Sequence, residues 1–130
     1  MDGLHQSTSI SASAMRAQTD RLRLVSENIA NADTPGYRRK ITTFEEVVSA
    51  GSKTGQVTTG PVELDRSALE RVYDPSHPLA GDDGYFDGSN VDLVYEIADA
   101  REAQRSYEAN LRMFDQARKM RSSLFELLRR

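Results

Sequence analysis

"SENIANADTPGYRRK", residues 26–40, reads as the end of a helix, then a punctuated turn, then a basic cluster. Apolar helical spacing stops at Ile29. Asn31 and Asp33 then oppose further helix, because their side chains compete for backbone hydrogen bonds and Asn tolerates the left-handed conformation that ends helices. Pro35 biases Thr34 out of the α region. Pro35 and Gly36 suit the two central positions of a type II turn, where glycine supplies the positive φ. Tyr37 follows the corner, placed to pack back against the helix. A turn specified at so many positions gives the chain a defined direction of exit, so the geometry on both sides matters.

Upstream, roughly residues 3–31, Met15, Leu22, Val25 and Ile29 recur at helical spacing, and Ile10, Ala14, Ala17 and Leu24 form a second stripe. Ser, Thr, Gln, Asp and Arg fill the positions between, so both stripes are narrow. Such a helix suits more than one neighbour.

Downstream, roughly 91–130, apolar residues follow one another at steps of three or four from Leu93 through Ile97, Tyr107, Leu111 and Phe114 to Leu127. The mean step lies nearer the ~3.5-residue repeat of coiled coils than the ~3.6 of a straight helix. Residues 91–110 are rich in acids and 111–130 in bases, the order that complements the helix dipole. The spacing predicts one long helix.

Residues 41–90 hold most of the glycines and prolines. "ITTFEEVV", "QVTTGPVEL" and "LERVYD" have the composition of short strands, whereas "DPSHPLAGDDGYFDGSN" reads as turns. Either a small β insert or a mobile loop fits. The expected fold is mainly α: terminal helices paired as an antiparallel coiled-coil-like hairpin, with a loop-rich or small β insert between them. The expected units are 1–37 (helix and exit turn), 38–90 (insert) and 91–130 (second helix), all within one structural unit.

The chain has 130 residues, 38% of them hydrophobic, no tryptophan and a mean hydropathy of −0.61. That is thin for a chain expected to build its own core. A net charge of −3 and the lack of a face-wide basic patch argue against nucleic acid. The absence of cysteine removes disulfides, thiol catalysis and cysteine-ligated zinc. No apolar run approaches the ~18 residues of a membrane span, so direct membrane insertion is not expected. The N-terminal stretch lacks the basic and apolar regions of a cleaved signal peptide.

Chemistry-bearing motifs are absent. His77 lies beside Asp74, Asp82 and Asp83 in a proline-bracketed loop that reads as polar surface rather than a metal site. "DDGYFDGSN" fails as a calcium loop, because Gly84 and Phe86 fall where oxygen ligands are needed. Phosphate-binding loops, zinc-protease helices and nucleophile elbows do not occur. The basic run Tyr37–Lys40 reads as solvated charge after a turn. No catalytic residue, cofactor site or metal ligand is expected, and the chain is not read as an enzyme.

"SENIANADTPGYRRK" resembles the N-terminal signature of the bacterial flagellar rod, hook and hook-associated axial proteins, with Asp33 standing where that string has asparagine. "AREAQRSYEANLRMFDQARKM" is similar to the matching C-terminal region of the same family. "RVYDPSHPLAGDDGY" and "NVDLVYEIADA", with Tyr107, Ala109 and Asn110, resemble the proximal rod members. The resemblance implies terminal helices that line the inner tube of an axial structure and polymerise helically into a torque-transmitting shaft. It implies export by the flagellar type III apparatus without a cleaved signal. The implied partners are like subunits, other rod proteins, the basal-body adaptor and the inner-membrane ring. For this role Met15, Leu22, Val25, Ile29, Ile97, Tyr107, Leu111 and Phe114 are the expected packing residues. Asn28, Asn31, Thr34, Pro35, Gly36 and Tyr37 are expected to set the exit from the first helix. A competing reading is a soluble coiled-coil adaptor or export chaperone for axial subunits. It predicts a stable folded dimer and gives the turn no role.

Overall fold

The computed structural model describes residues 2–129. The chain opens with helix α1 (Asp2–Ala30) and closes with helix α2 (Leu93–Arg129). Between them lie β1 (Lys40–Ile41), β2 (Phe44–Ser49), β3 (Ser52–Thr59), β4 (Glu63–Leu64), β5 (Arg71–Tyr73) and β6 (Tyr85–Asp87). These form three separate two-stranded antiparallel ladders: β1 with β4, β2 with β3, and β5 with β6. The β2–β3 hairpin turns at Ala50 and Gly51, both at positive φ (51° and 78°), which is the pairing a two-residue type I′ turn requires.

The fold is therefore not a mainly α hairpin with an appended insert. About 52% of the described residues are helical and 19% are in strands, and the strands between the helices pair as three small ladders. The physical reason is the way β3 lies along α1. The Val57 N–H donates to Ser13 Oγ at 3.1 Å, and the Thr59 hydroxyl donates to Asp20 Oδ2 at 3.0 Å. Gly55 (φ +78°) passes so close that a Cβ there would stand 2.9 Å from Ile10 Cδ1. One side of α1 thus contacts β3 while another contacts α2. Residues 71–73 and 85–87, the latter inside the stretch read as turns, pair as a ladder that brings the chain back to the start of α2.

α1 and α2 run antiparallel. Leu4 and Ser7 lie near Met113–Met120, and Arg21 reaches Asp99 at the other end. On α2 the fully buried seam runs through Glu96, Ala103 and Ala117, with half-buried Asn110 between the last two. Those steps of seven are the repeat of a coiled-coil contact line. Among the described residues the buried apolar positions of this seam are alanines, and no large apolar side chain of α2 is buried. Among the described residues the apolar core is only Ala17, Leu24, Val25, Ala103 and Ala117. Leu24 and Val25 are the two that return ~1.5–3 kcal/mol each on burial.

Candidate assembly site: a polar clasp and an open helical face

The exit turn is held at every step. The Asn31 N–H donates to the Glu27 carbonyl at 3.1 Å, completing the last turn of α1. The Tyr37 N–H donates to the Thr34 carbonyl at 3.1 Å across Pro35 and Gly36, and Gly36 has φ +76°, the sign a type II turn needs at that position. The Gly36 N–H also donates to the carbonyls of Asp87 and Gly88 at 3.2 and 3.0 Å. Ser89 Oγ donates to the Ala32 carbonyl. The turn is thereby fastened to the segment that leads into α2.

Behind it sits Asn28, 1% exposed. Its Oδ1 accepts from the Tyr37 hydroxyl (2.8 Å) and the Lys40 N–H (2.9 Å). Its Nδ2 donates to the Lys40 carbonyl (3.0 Å) and to Glu96 Oε2 (3.3 Å). One amide thus uses both donors and both acceptor positions to join α1, the strand after the turn and α2. Glu96 is 0% exposed and accepts from Arg39 Nε through its other oxygen. Arg39 reaches on to Asp99 at 3.3 Å and Asp65 at 3.7 Å, and Arg21 holds Asp99 at 2.9 Å and Glu102 at 3.4 Å. Asn90 Oδ1 accepts from the Arg39 N–H at 2.6 Å.

Burial works against the Arg39 charge, but the hydrogen bond to Glu96 and the carboxylates of Glu96, Asp99 and Asp65 outweigh it and raise the guanidinium above its usual value. Burial pushes the Tyr37 hydroxyl up. Lys40, hydrogen-bonded to Glu27 at 2.8 Å, holds that carboxyl below its ordinary range. The Ser67 N–H, donating at 2.9 Å, does the same for Asp65.

The residues expected at the turn take different places. Asn28 is the buried hub, Tyr37 is half-buried on it, and Asn31 closes the helix end. Thr34, Pro35 and Gly36 are exposed at the corner. Of the expected packing residues, Val25 is buried, and Met15, Leu22, Tyr107 and Phe114 are half-buried. Ile29, Ile97 and Leu111 are exposed in the single chain. Glu96 was legible only as one of several acids near the start of α2, and Arg39 only as solvated charge. Arg39 is instead the ion-pair partner of a fully buried carboxylate. His77 stacks on Phe86 with ring centres 3.9 Å apart, and its Nδ1 accepts from the Leu79 N–H. Among the described residues no group of three His, Cys, Asp or Glu side chains is placed to hold a metal ion.

The other feature is α2 itself. Residues 118–129 form the last turns of α2, and every one of them is exposed. Met120, Leu124, Phe125, Leu127 and Leu128 stand open on that tail. Among the described residues, no helix is long and apolar enough to cross a membrane.

Two family models match the two ends of the chain: flagella basal body rod protein over residues 9–38, and the C-terminal region of flagellar basal body rod FlgEFG proteins over residues 82–127. The first covers most of α1 with the exit turn, the second the approach to α2 and its length. The flagellar basal-body rod protein FlgC of Agrobacterium fabrum is 41% identical, across 99% of this chain and 98% of its own length. The chain belongs to the FlgC family of flagellar basal-body rod proteins. FlgC of Salmonella typhimurium is 35% identical over 85% of this chain and 87% of its own, and FlgC of Bacillus subtilis is 31% identical over 93% and 95%. This member of the FlgC family is thus a structural component of the flagellar basal-body rod, and Asn28, Tyr37 and Glu96 of its clasp lie within the two matched regions, whereas Arg39, Lys40 and Asp65 lie between them.

Proposed function

We propose that the chain polymerises through its terminal helices into the axial drive shaft of the rod and transmits torque, performing no reaction. The observation that carries this is the imbalance between the five-residue apolar core and the long open apolar face of α2. Exposed apolar patches of this extent mark protein contacts. In this reading Met15, Leu22, Val25, Tyr107 and Phe114 pack the helix pair, and Ile29, Ile97 and Leu111 face neighbouring subunits. The clasp at Asn28 and the turn Asn31–Tyr37 fix the angle between α1 and the strand that follows the turn, which a shaft under load must hold constant. The partners are like subunits, other rod proteins, the basal-body adaptor and the inner-membrane ring. Delivery is by the flagellar type III apparatus, without a cleaved signal, to the rod where it spans the periplasm.

The test is complementation of motility in a bacterium lacking its own FlgC. Pro35→Ala and Tyr37→Ala should reduce swimming while the subunit is still exported. Normal swimming in both would remove the mechanical role of the turn. A stable, monodisperse dimer of the isolated chain would instead favour a soluble adaptor or export chaperone.

A further inference from the structure

The two ends of α2 carry open apolar clusters of opposite charge. At its start, Leu93, Val94, Tyr95 and Ile97 are exposed. Beside them runs a groove of about 450 Å³ lined by Asp65, Asp92, Asp99 and Glu102 together with Tyr95 and Arg39. Arg39 and Arg21 between them reach Asp65, Glu96, Asp99 and Glu102, but two bases face these four acids and Asp92, so an acidic surplus remains, and the Glu102 side chain is 69% exposed. At its end, Leu124, Phe125, Leu127 and Leu128 are exposed among Arg118, Lys119, Arg121 and Arg129, with Glu126 the one acid between them. Among the described residues none of these four bases is paired with a carboxylate. Arg118 and Arg121 lie instead over the rings of Phe114 and Phe125.

We propose that the basic apolar tail of α2 in one copy docks on the acidic apolar head of α2 in another copy, residues 118–129 against the surface around 92–102. The inference rests on the reading of the chain as a polymerising subunit and names the surfaces that join. Burying Leu127 and Leu128 (64% and 77% exposed) against Val94 and Tyr95 supplies the apolar contact, and the rims supply complementary charge. A tail of residues 118–129 is about 18 Å long at ~1.5 Å per residue, enough to cover the first turns of a second helix. The helix dipoles agree, since a C-terminal end meets an N-terminal end. A symmetric tail-to-tail pair would bring the same bases together, which like-charge repulsion opposes. Head and tail are different surfaces, so the contact is heterologous and leaves a free head and a free tail after every addition.

The chain has no cysteine, so pairs can be introduced cleanly. Leu128→Cys and Val94→Cys chains carrying different tags are mixed and oxidised gently, and mixed and like disulfide dimers are counted. Mixed dimers should exceed Leu128→Cys homodimers by well more than the twofold excess that random pairing of equal pools gives. Adding Arg121→Glu with Arg129→Glu to the tail chain should cut the mixed product at least ~10-fold, as should ~1 M salt, where the screening length falls to ~3 Å. Both arginines are exposed, and circular dichroism of the double variant checks that its helices are intact. Like dimers equal to or above mixed ones would overturn the proposal in favour of tail-to-tail pairing. An absence of mixed dimers at concentrations where the parent chain sediments as oligomers would overturn it while leaving polymerisation standing. A parent chain that stays monomeric at every concentration would sink both.

Discussion

Replacing Asn28 with alanine removes the one side chain that touches all three parts of the clasp. Four hydrogen bonds go with it, to the Lys40 N–H and carbonyl, the Tyr37 hydroxyl and Glu96. A net ~0.5–1.5 kcal/mol for each neutral bond, and more for the one to a carboxylate, would sum to about 3–7 kcal/mol. The bonds share one group and water enters the gap, so about 3–5 kcal/mol is the expected loss. For a chain of this size ~1 kcal/mol moves the melting temperature by a few degrees, so Asn28→Ala should fall by on the order of 10 °C or more. Thermal unfolding followed by circular dichroism reads that loss, and hydrogen exchange locates it. The Lys40 amide, which donates to Asn28, should lose protection before residues 103–117 of α2 do. Tyr37→Phe deletes only one of the four bonds and should cost about 0.5–1.5 kcal/mol. If Asn28→Ala melts within ~1 kcal/mol of the parent and its Lys40 amide stays protected, the clasp is not what joins these elements.

Glu96→Ala takes the buried carboxylate from Arg39 and Asn28 and should cost about 3–5 kcal/mol in urea unfolding, moderated by Asp99 and Asp65, which still face the guanidinium. Gly36→Ala and Gly55→Ala both force alanine to positive φ, at ~1–2 kcal/mol. Gly36 has open space around it, whereas Gly55 also crowds Ile10, so only Gly55→Ala should shift exchange in residues 10–17 of α1. Ala103→Leu overfills a fully buried seam position and should destabilise the helix pair by about 1–3 kcal/mol, read by the same melts. Acid should loosen the region around the exit turn. Glu27 and Asp65 titrate below their ordinary values of 4.5 and 3.8 when folded, so their stabilisation is complete above those values and is lost as the pH falls through the lower, folded ones. Exchange of residues 38–41 followed from neutral pH to acid should show that onset, and Lys40→Met should blunt it.

Local chemistry made the two helices and the turn between them legible. Pro35, Gly36 and the Asn and Asp residues before them act on their own backbone, so their reading needs no distant partner. The strands were less legible because the docking of β3 on α1 depends on Ser13, Asp20 and Gly55, which have no apolar signature. The helix seam was hidden for a related reason. Periodicity is read from large side chains, whereas α2 meets α1 through Ala103 and Ala117, leaving Ile97 and Leu111 outside. The clasp lay furthest from view, since Asn28 and Glu96 are 68 residues apart and nothing in either neighbourhood announces the pairing. For the open tail, Leu124 and Leu127 were visible as a stripe, but only the register of α1 against α2 shows that they stay exposed among the described residues.

The most direct test of the chain as a polymerising rod subunit is hydrogen exchange of α1 and α2 at increasing concentration. In dilute solution residues 118–129 should exchange fast and those flanking the seam at intermediate rates, and both should gain protection as the chain assembles. A particle whose helices, tail included, are equally protected at every concentration would contradict the account, because the helices would then already be satisfied without a neighbouring subunit.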